Sequence, residues 1–586
     1  MLDLHTVNDV FDHMSHRGDT TVAMFKSGSE WKPISSKTMY GRVRALVAVL
    51  QSWGVQHGDR VALIGENRWE WPVVDFAVLA LGAVDVPLYQ TLTPEQVGYM
   101  LRNSGARVVF VSSKQQYQKV VAAGEIQSLE RVVVWDEGDF PGADSFSKLL
   151  AAAPQLEEPD AAFDALVKQV KPEDLATIVY TSGTTGDPKG VMLTHENMAT
   201  NLQYSSDDLN LTDRDSTISF LPLSHALARH LDYVMYSRGC VIAYLPKFDD
   251  LRGAMAAVKP TVFLAVPRVF EKIRQGIEGK SQEGLKGKIF RWALKVGAKN
   301  RAKIMEGKTP GSLSWKLANK LVYSKILEAF GGNAKLFVSG GAPLGKENSQ
   351  WFLDVNIRIF EGYGLTETSP VISRNTFAGY RMGSVGTVLS NIEVRLAPDG
   401  ELEVRGSCVF KGFWQNPEAT QKEFTEDGWF KTGDIASYTE GFLAITDRKK
   451  ELLKTSGGKY IAPQPIEGNL KVNSLVNQAA LIGDQKKFAS VLISPNLATL
   501  VSWAAKNGVQ TEDKEAMVKD PKVFKLYKSI IDETNKNLAD YERIKKFAVV
   551  PEEWNVDTGE LTPSLKLKRR VIVERYKDQI AALYNE

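Results

Sequence analysis

Residues 180–190 read Tyr-Thr-Ser-Gly-Thr-Thr-Gly-Asp-Pro-Lys-Gly, a concentration of hydroxyls and glycines with one lysine. Glycines let a backbone turn sharply, and successive N–H groups then form a concavity that suits an anion. The hydroxyls of Thr181, Ser182, Thr184 and Thr185 add donors, and Lys189 adds a positive charge. The chemistry of such a stretch is phosphate binding. The spacing of Gly183, Gly186 and Lys189 is not that of the GxxxxGK[ST] loop of kinases and GTPases. Taken without its surroundings, the same stretch also reads as a hydroxyl-rich surface turn. Apolar runs flank it, with Ala176, Ile178 and Val179 before and Val191, Met192 and Leu193 after.

Further clusters follow in order. They are Gly340-Gly341-Ala342-Pro343, Glu361-Gly362-Tyr363-Gly364-Leu365-Thr366-Glu367, Gly428-Trp429-Phe430-Lys431-Thr432-Gly433-Asp434, Asp447-Arg448-Lys449-Lys450 and Leu561-Thr562-Pro563-Ser564-Leu565-Lys566. As an ordered series they resemble the motifs of the adenylate-forming ligases, the group of acyl-CoA synthetases, luciferases and nonribosomal-peptide adenylation domains. The resemblance runs from about Trp31 into the C-terminal region.

That resemblance implies a two-step activation. A carboxylate attacks the α-phosphate of MgATP to give an acyl-adenylate and pyrophosphate, and a thiol then displaces AMP. It implies that the 181–189 loop holds the β- and γ-phosphates, with Lys189 as a screening charge. Tyr363 would offer a flat face to adenine beside the Gly340–Pro343 turn, with Glu361, Gly362 and Gly364 in the same nucleotide-binding set. Thr366 would meet the α-phosphate, and Glu367 would help hold Mg²⁺, a hard ion that takes few carboxylates alongside phosphate oxygens. Asp434 would accept from the ribose diol and Arg448 would donate to it. Lys566 is the implied mobile catalytic lysine, although Leu565 stands where the family commonly has glycine, and Lys568 is the competing assignment.

The elements that must position these groups are also legible. Apolar strand-like runs (Val61–Ile64, Ala106–Val111, Arg131–Trp135) alternate with helical patterns through most of the first 440 residues, which argues for α/β layering. Tyr40, Val43, Leu46, Val47 and Leu50 recur at helical spacing, with Ser36 as expected cap and Gly54 as expected stop. Residues 151–172 read as a solvated connection. With the resemblance, the expected fold is a large, multilayered N-terminal α/β domain over 1–446, a hinge at 447–450 with Lys450 at its pivot, and a small mobile C-terminal α+β domain over 451–586. Rotation about the hinge would exchange Lys566 for the 456–459 loop, where Gly457 and Gly458 would line a channel for CoA.

Composition bounds the function classes. The chain has 586 residues, more than one core supports, and 72 basic against 70 acidic residues give no bulk charge for nucleic acid. Two cysteines, Cys240 and Cys408, make neither a disulfide framework nor a metal cluster. The first residues lack the basic and apolar regions of a secretory signal, and Trp71–Tyr89 is interrupted by Asp75 and Asp85, so a cytoplasmic protein is expected. Nothing in the residues selects an oligomeric state.

The acid to be activated is the hardest part to read. About seventy residues separate the Pro267 region from Ser339, a length that resembles the long-chain fatty acyl synthetases. Leu221-Pro222-Leu223-Ser224-His225 resembles a segment of the same group, and His225 reads equally as a lining residue of the acyl or adenylate site or as a packed or solvent-facing histidine. Within the insert, Ile289, Trp292, Ala293 and Val296 share one helical face amid lysines and arginines spread over 286–325. That pattern fits either a helix lying on an anionic membrane or an ordinary surface helix with a buried stripe. The reading is a fatty acid:CoA ligase, long-chain, using ATP, Mg²⁺ and CoA. Its alternatives are a ligase for another acid, a transferase from acyl-AMP to a carrier protein, and a non-catalytic lipid-binding relative.

Overall fold

The computed structural model describes residues 2–153, 161–181, 187–280, 284–449, 451–456, 459–562 and 566–585. Two large sheets dominate the chain up to Phe413. One has nine strands, in the order Thr387–Val388, Ser373–Arg374, Ile359–Tyr363, Leu336–Ser339, Val262–Ala265, Ser216–Ser219, Val241–Tyr244, Thr21–Ser27 and Glu30–Ser35. The other has eight, in the order Gly412–Phe413, Lys189–Thr194, Leu175–Thr181, Val84–Leu88, Arg60–Ile64, Val108–Val111, Arg131–Val134 and Asp144–Ser145. Their central strands are short and mostly parallel, and Val84–Leu88 and Val108–Val111 are Val-rich and buried throughout, as strands covered on both faces must be.

A buried ionic cluster ties the two sheets together. Arg229, on the helix Ala226–Ser237, pairs with Asp75 and lies 2.9 Å from Asp85, while Tyr233 donates to Asp75 at 2.6 Å. Arg229 also donates to Thr177 at 2.9 Å. Removing one partner from such a buried set leaves an uncompensated charge. The helix is therefore held in one position between the sheets, and that position matters for the site.

A four-stranded antiparallel sheet follows, over Ile392–Leu396, Glu401–Gly406, Phe430–Thr439 and Phe442–Arg448. Beyond it, two apolar clusters draw only on residues from Leu453 onward, around a three-stranded sheet of Val476–Ile482, Ala489–Pro495 and Ile544–Val549. Among the described residues, no helix is long and apolar enough to cross a membrane.

Several local expectations need correction. The helix over Ser36–Ser52 is present, but Ser35 caps it by accepting from Thr38 N–H. Ser36 instead donates to the carbonyls of Met14 and Ser15 at 2.7 Å, so its hydroxyl joins two segments. The 151–172 connection contains the helix Ala161–Val167, whose Phe163 is buried against Phe11 and Tyr40. The insert is helical, and its long helix Gly284–Met305 turns Ala293 and Val296 into the core, with Ile289 and Trp292 packed at the margin. That helix crosses the helix Lys346–Asp354 so closely that a Cβ on Gly297 would lie 1.8 Å from the Asp354 carbonyl oxygen, and Arg301 clamps Asp354 at 2.7–2.8 Å. Its apolar face is therefore spent inside the protein and is not available to a membrane.

Candidate active site

The phosphate-loop flanks form an antiparallel pair, with Ile178 opposite Met192, Val179 opposite Val191 and Thr181 opposite Lys189. Ser182, Gly183, Thr184, Thr185 and Gly186, which connect them, lie outside the described residues. Thr181 and Lys189 both line a cavity of about 980 Å³. The Lys189 ammonium rests 4.8 Å from the centre of the Phe413 ring.

The same cavity is lined by Gly340, Gly341, Gly362, Tyr363, Gly364, Thr366, Glu367, Arg448, His225 and Lys566. Tyr363 ends the strand Ile359–Tyr363, and the chain then folds back so tightly that a Cβ on Gly364 would meet the Pro370 carbonyl oxygen at 1.6 Å. Only glycine fits there. Thr366 and Glu367 begin a short 3₁₀ turn, held where Asn201 donates to the carbonyls of Thr368 and Val371. Burial, followed by the nearby charges of Glu423 and Asp434, raises the Glu367 pKa against the pull of Arg448. An enclosed carboxylate beside a threonine hydroxyl is a suitable donor set for a hard divalent cation that keeps most of its contacts with phosphate and water. No group of three or more His, Cys, Asp or Glu able to hold a metal occurs among the described residues, so such an ion would depend on its nucleotide.

Asp434 and Arg448 face each other across neighbouring strands. Arg448 Nε lies 3.3 Å from Asp434 Oδ1, and the Tyr363 hydroxyl donates to Asp434 Oδ2 at 2.6 Å. Asp434 is buried just behind the cavity wall, and burial raises its pKa although Arg448 opposes the shift. Both carboxylate oxygens are thus engaged by groups that a ribose diol would have to replace or share.

Ala342, Pro343 and Glu361 are placed differently from the expected nucleotide contacts. Ala342 and Pro343 are exposed on the outside of their turn. The Glu361 carboxylate accepts from Leu344 N–H at 3.3 Å and from the Ser349 hydroxyl at 3.0 Å, so it braces the turn from behind. Burial pushes its pKa up to about 7.

Lys566 reaches the cavity from the C-terminal region. Thr562 N–H donates to the Lys566 carbonyl at 2.8 Å, and Leu561 bridges to Leu567, which fixes the backbone of Lys566 beside that of Thr562. Lys566 is exposed although it lines the cavity, and desolvation there, then the charge of Arg448, lowers its pKa. Lys568 does not line the cavity and stands at the start of the helix Arg569–Arg575. Arg268 donates to Asn477 at 2.5 Å across the two parts of the molecule. Lys450, Gly457 and Gly458 lie outside the described residues.

The other half of the cavity was not legible as a motif. The nine-stranded sheet contributes alternate residues to one face in register. Val262 lies opposite Leu336, Leu264 opposite Val338 and Val338 opposite Phe360. The pairing of Ser339 with Glu361 sets Gly340 level with Gly362, and Gly362 lies opposite Arg374. The result is three rows: glycines at the mouth, then Leu264, Val338 and Phe360, then Val262 and Leu336. At a strand rise of about 3.3 Å per residue the rows span roughly 13 Å, enough for an extended chain of about ten carbons. Leu227, Leu231 and Val234, one face of the helix anchored by Arg229, form the opposing wall.

His225 is half-buried at the start of the helix Ala226–Ser237. It caps that helix, its Nδ1 accepting from Leu227 N–H at 3.2 Å, and it lines the cavity. Burial and then the Lys566 charge push its pKa down to about 4, so it is neutral at pH 7 with its proton on Nε2. Arg374, ion-paired with Asp208, closes the side of the first row. Glu418, Lys422 and Glu423, from the helix Pro417–Glu423, also line the polar end. No sequence signal marked them.

The comparisons show the family of the chain. The chain matches the AMP-binding enzyme family over residues 10–414 and the AMP-binding enzyme C-terminal domain over 450–586. It is 36% identical to long-chain-fatty-acid–CoA ligase FadD15 of Mycobacterium tuberculosis, covering 98% of this chain and 96% of that one. It is 30% identical to the human long-chain-fatty-acid–CoA ligase ACSBG2, covering 99% and 92%. Among solved structures, an anthranilate CoA ligase, AuaEII, in complex with anthranoyl-AMP aligns with a TM-score of 0.76 at 20% identity over 99% of both chains. ATP-bound MatB from Rhodopseudomonas palustris aligns with a TM-score of 0.70 at 24% identity, covering 98% of this chain and 99% of that one. The expected α/β architecture with a small C-terminal domain is borne out, and the chain belongs to the AMP-binding enzyme family, with the fold of the adenylate-forming ligases.

Proposed function

We propose that the protein is an AMP-forming, long-chain fatty acid:CoA ligase. The observation that carries this reading is a single cavity with two ends. Phosphate- and ribose-type donors and acceptors surround one end, and a row of glycines followed by two registered rows of apolar side chains lines the other. The relatives that bear long-chain-ligase names over nearly the full chain support the same reading.

In this reading Lys189 and the 181–186 loop hold the polyphosphate, and Asp434 and Arg448 hold the ribose. Glu367 and Thr366 are the residues that would hold Mg²⁺, which would screen phosphate charge when bound with ATP. Lys566 places its ammonium between the fatty carboxylate and the α-phosphate, where negative charge gathers as the carboxylate oxygen bonds to phosphorus and pyrophosphate leaves. Neutral His225 lets the carboxylate approach without a competing cation. The enclosed walls exclude water from the adenylate.

The second half-reaction is proposed to need the C-terminal part, over 451–586, to turn about 447–450 and withdraw Lys566. The thiol of CoA then attacks the acyl carbon and AMP leaves. Such a hinge change is a known class of rearrangement. Residence in the cytoplasm is part of the same reading.

The test is CoA-dependent AMP release with MgATP across acids of increasing chain length. Turnover rising to long chains supports the proposal. Turnover confined to short or aromatic acids would overturn the acid, and adenylation without CoA-dependent release would point to a carrier-protein acceptor.

A further inference from the structure

The insert leaves one face that the core does not use. After the helix Gly284–Met305 the chain turns back through a helical segment made of Leu313–Ala318, one π turn over Asn319–Tyr323, and Ser324–Glu328. The Tyr323 hydroxyl donates to the Ala293 carbonyl at 2.7 Å and fixes the two side by side. Trp315, Val322 and Ile326 turn inward. Helical spacing then sends Leu313, Leu317 and Leu321 outward, and they are 85%, 50% and 37% exposed. Lys316, Lys320 and Lys325 are exposed on the same segment and flank that stripe.

Leucine at i, i+4 and i+8 on an open helical face is unusual for a soluble surface, where large side chains are exposed singly. Lysines on both sides give the stripe a definite chemistry. A lysine can lay its methylenes along an apolar boundary while its ammonium reaches an anionic headgroup. The insert packs on the sheet face that carries Phe263 and Phe337, opposite the face whose Leu264 and Val338 line the cavity. Docking there would engage none of the side chains that bind substrate.

We propose that the Leu313–Leu317–Leu321 face docks on the surface of an anionic lipid bilayer. The leucines enter the acyl boundary and Lys316, Lys320 and Lys325 meet the headgroups. This surface is distinct from the apolar face of the preceding helix, which is buried, and it stands whichever acid the enzyme activates.

The test is co-sedimentation of the full chain with vesicles of phosphatidylcholine alone or mixed with phosphatidylserine, with the oligomeric state measured in parallel. The wild type is expected to pellet with the anionic vesicles and to be released by salt. Leu313→Ser/Leu317→Ser/Leu321→Ser is expected to lose at least about tenfold in partitioning. Lys316→Ala/Lys320→Ala/Lys325→Ala is expected to lose the preference for anionic over neutral vesicles. Thermal melting and adenylation of a water-soluble acid, unchanged in both variants, show that the fold is intact. The proposal is overturned if the wild type does not bind, if the leucine variant binds as the wild type does, or if the leucine substitutions instead dissociate a dimer.

Discussion

The two ends of the cavity are built on different principles. At the polar end, position depends on the backbone: a glycine that nothing else could replace at 364, a 3₁₀ turn at Thr366–Thr368, and a carboxylate at 434 held by Tyr363 and Arg448. At the apolar end, position depends only on which alternate strand residue faces inward, and any side chain of suitable volume fills the row. Substitutions at the polar end should therefore remove chemistry, and those at the apolar end should change which acid is chosen.

The largest effect should come from Lys566→Ala. We expect adenylation to fall about a hundred- to a thousandfold, the scale of losing one group aimed at developing charge. Thioester formation from supplied acyl-AMP should be nearly retained. Lys568→Ala should leave both half-reactions within a few-fold, and single-turnover assays of each half-reaction separate the two lysines. Because the Lys566 pKa is lowered, adenylation should also be lost at a less alkaline pH than an ordinary lysine would give. A pH–rate profile should show that limb move upward in Lys566→Arg.

Next in size, Val262→Phe fills the deepest row and should cut turnover of long acids by about a hundredfold while sparing short ones, a discrimination of the order that a few methylenes produce. A chain-length series read as kcat/KM decides it. A uniform loss across all lengths would mean that the third row is not part of the acyl path.

Glu361→Gln should act on stability. The folded carboxyl has a pKa of about 7, above its ordinary value of 4.5, so the native state binds more protons than the unfolded one between these limits. Stability from this group is present below about 4.5 and is lost as pH rises to about 7, and glutamine should abolish that slope, a gain of up to about 3 kcal/mol at neutral pH. Denaturant melts across pH 4–8 provide the measurement.

The smallest effect should be Tyr363→Phe, which keeps the flat face but frees one Asp434 oxygen. KM for ATP should shift by less than about tenfold, the worth of one hydrogen bond, with kcat little changed.

The polar end was largely legible because its residues lie in short contiguous motifs, and Thr181, Lys189, Tyr363, Thr366, Glu367, Arg448 and Lys566 do converge on one cavity. Glu361 adjoins the nucleotide-binding motif in sequence, yet a strand sends neighbours to opposite faces, and its carboxyl points to the turn behind. The apolar end was opaque for a related reason. Val262, Leu336 and Phe360 come from three separate stretches of the chain, and only the register of their neighbouring strands, which the sequence does not state, makes them one wall. The insert's amphipathic pattern was visible as well, but periodicity cannot say whether protein or lipid covers the apolar side. The cover here is the protein's own helix Lys346–Asp354.

A competition experiment tests the account most directly. The purified protein is given MgATP, CoA and an equimolar mixture of acids from acetate to long-chain fatty acids and benzoate, and the products are identified by mass spectrometry. The account predicts long-chain acyl-CoA thioesters with matching AMP as the dominant products. Predominance of short-chain or aromatic thioesters, or acyl-adenylates that persist despite CoA, would contradict it.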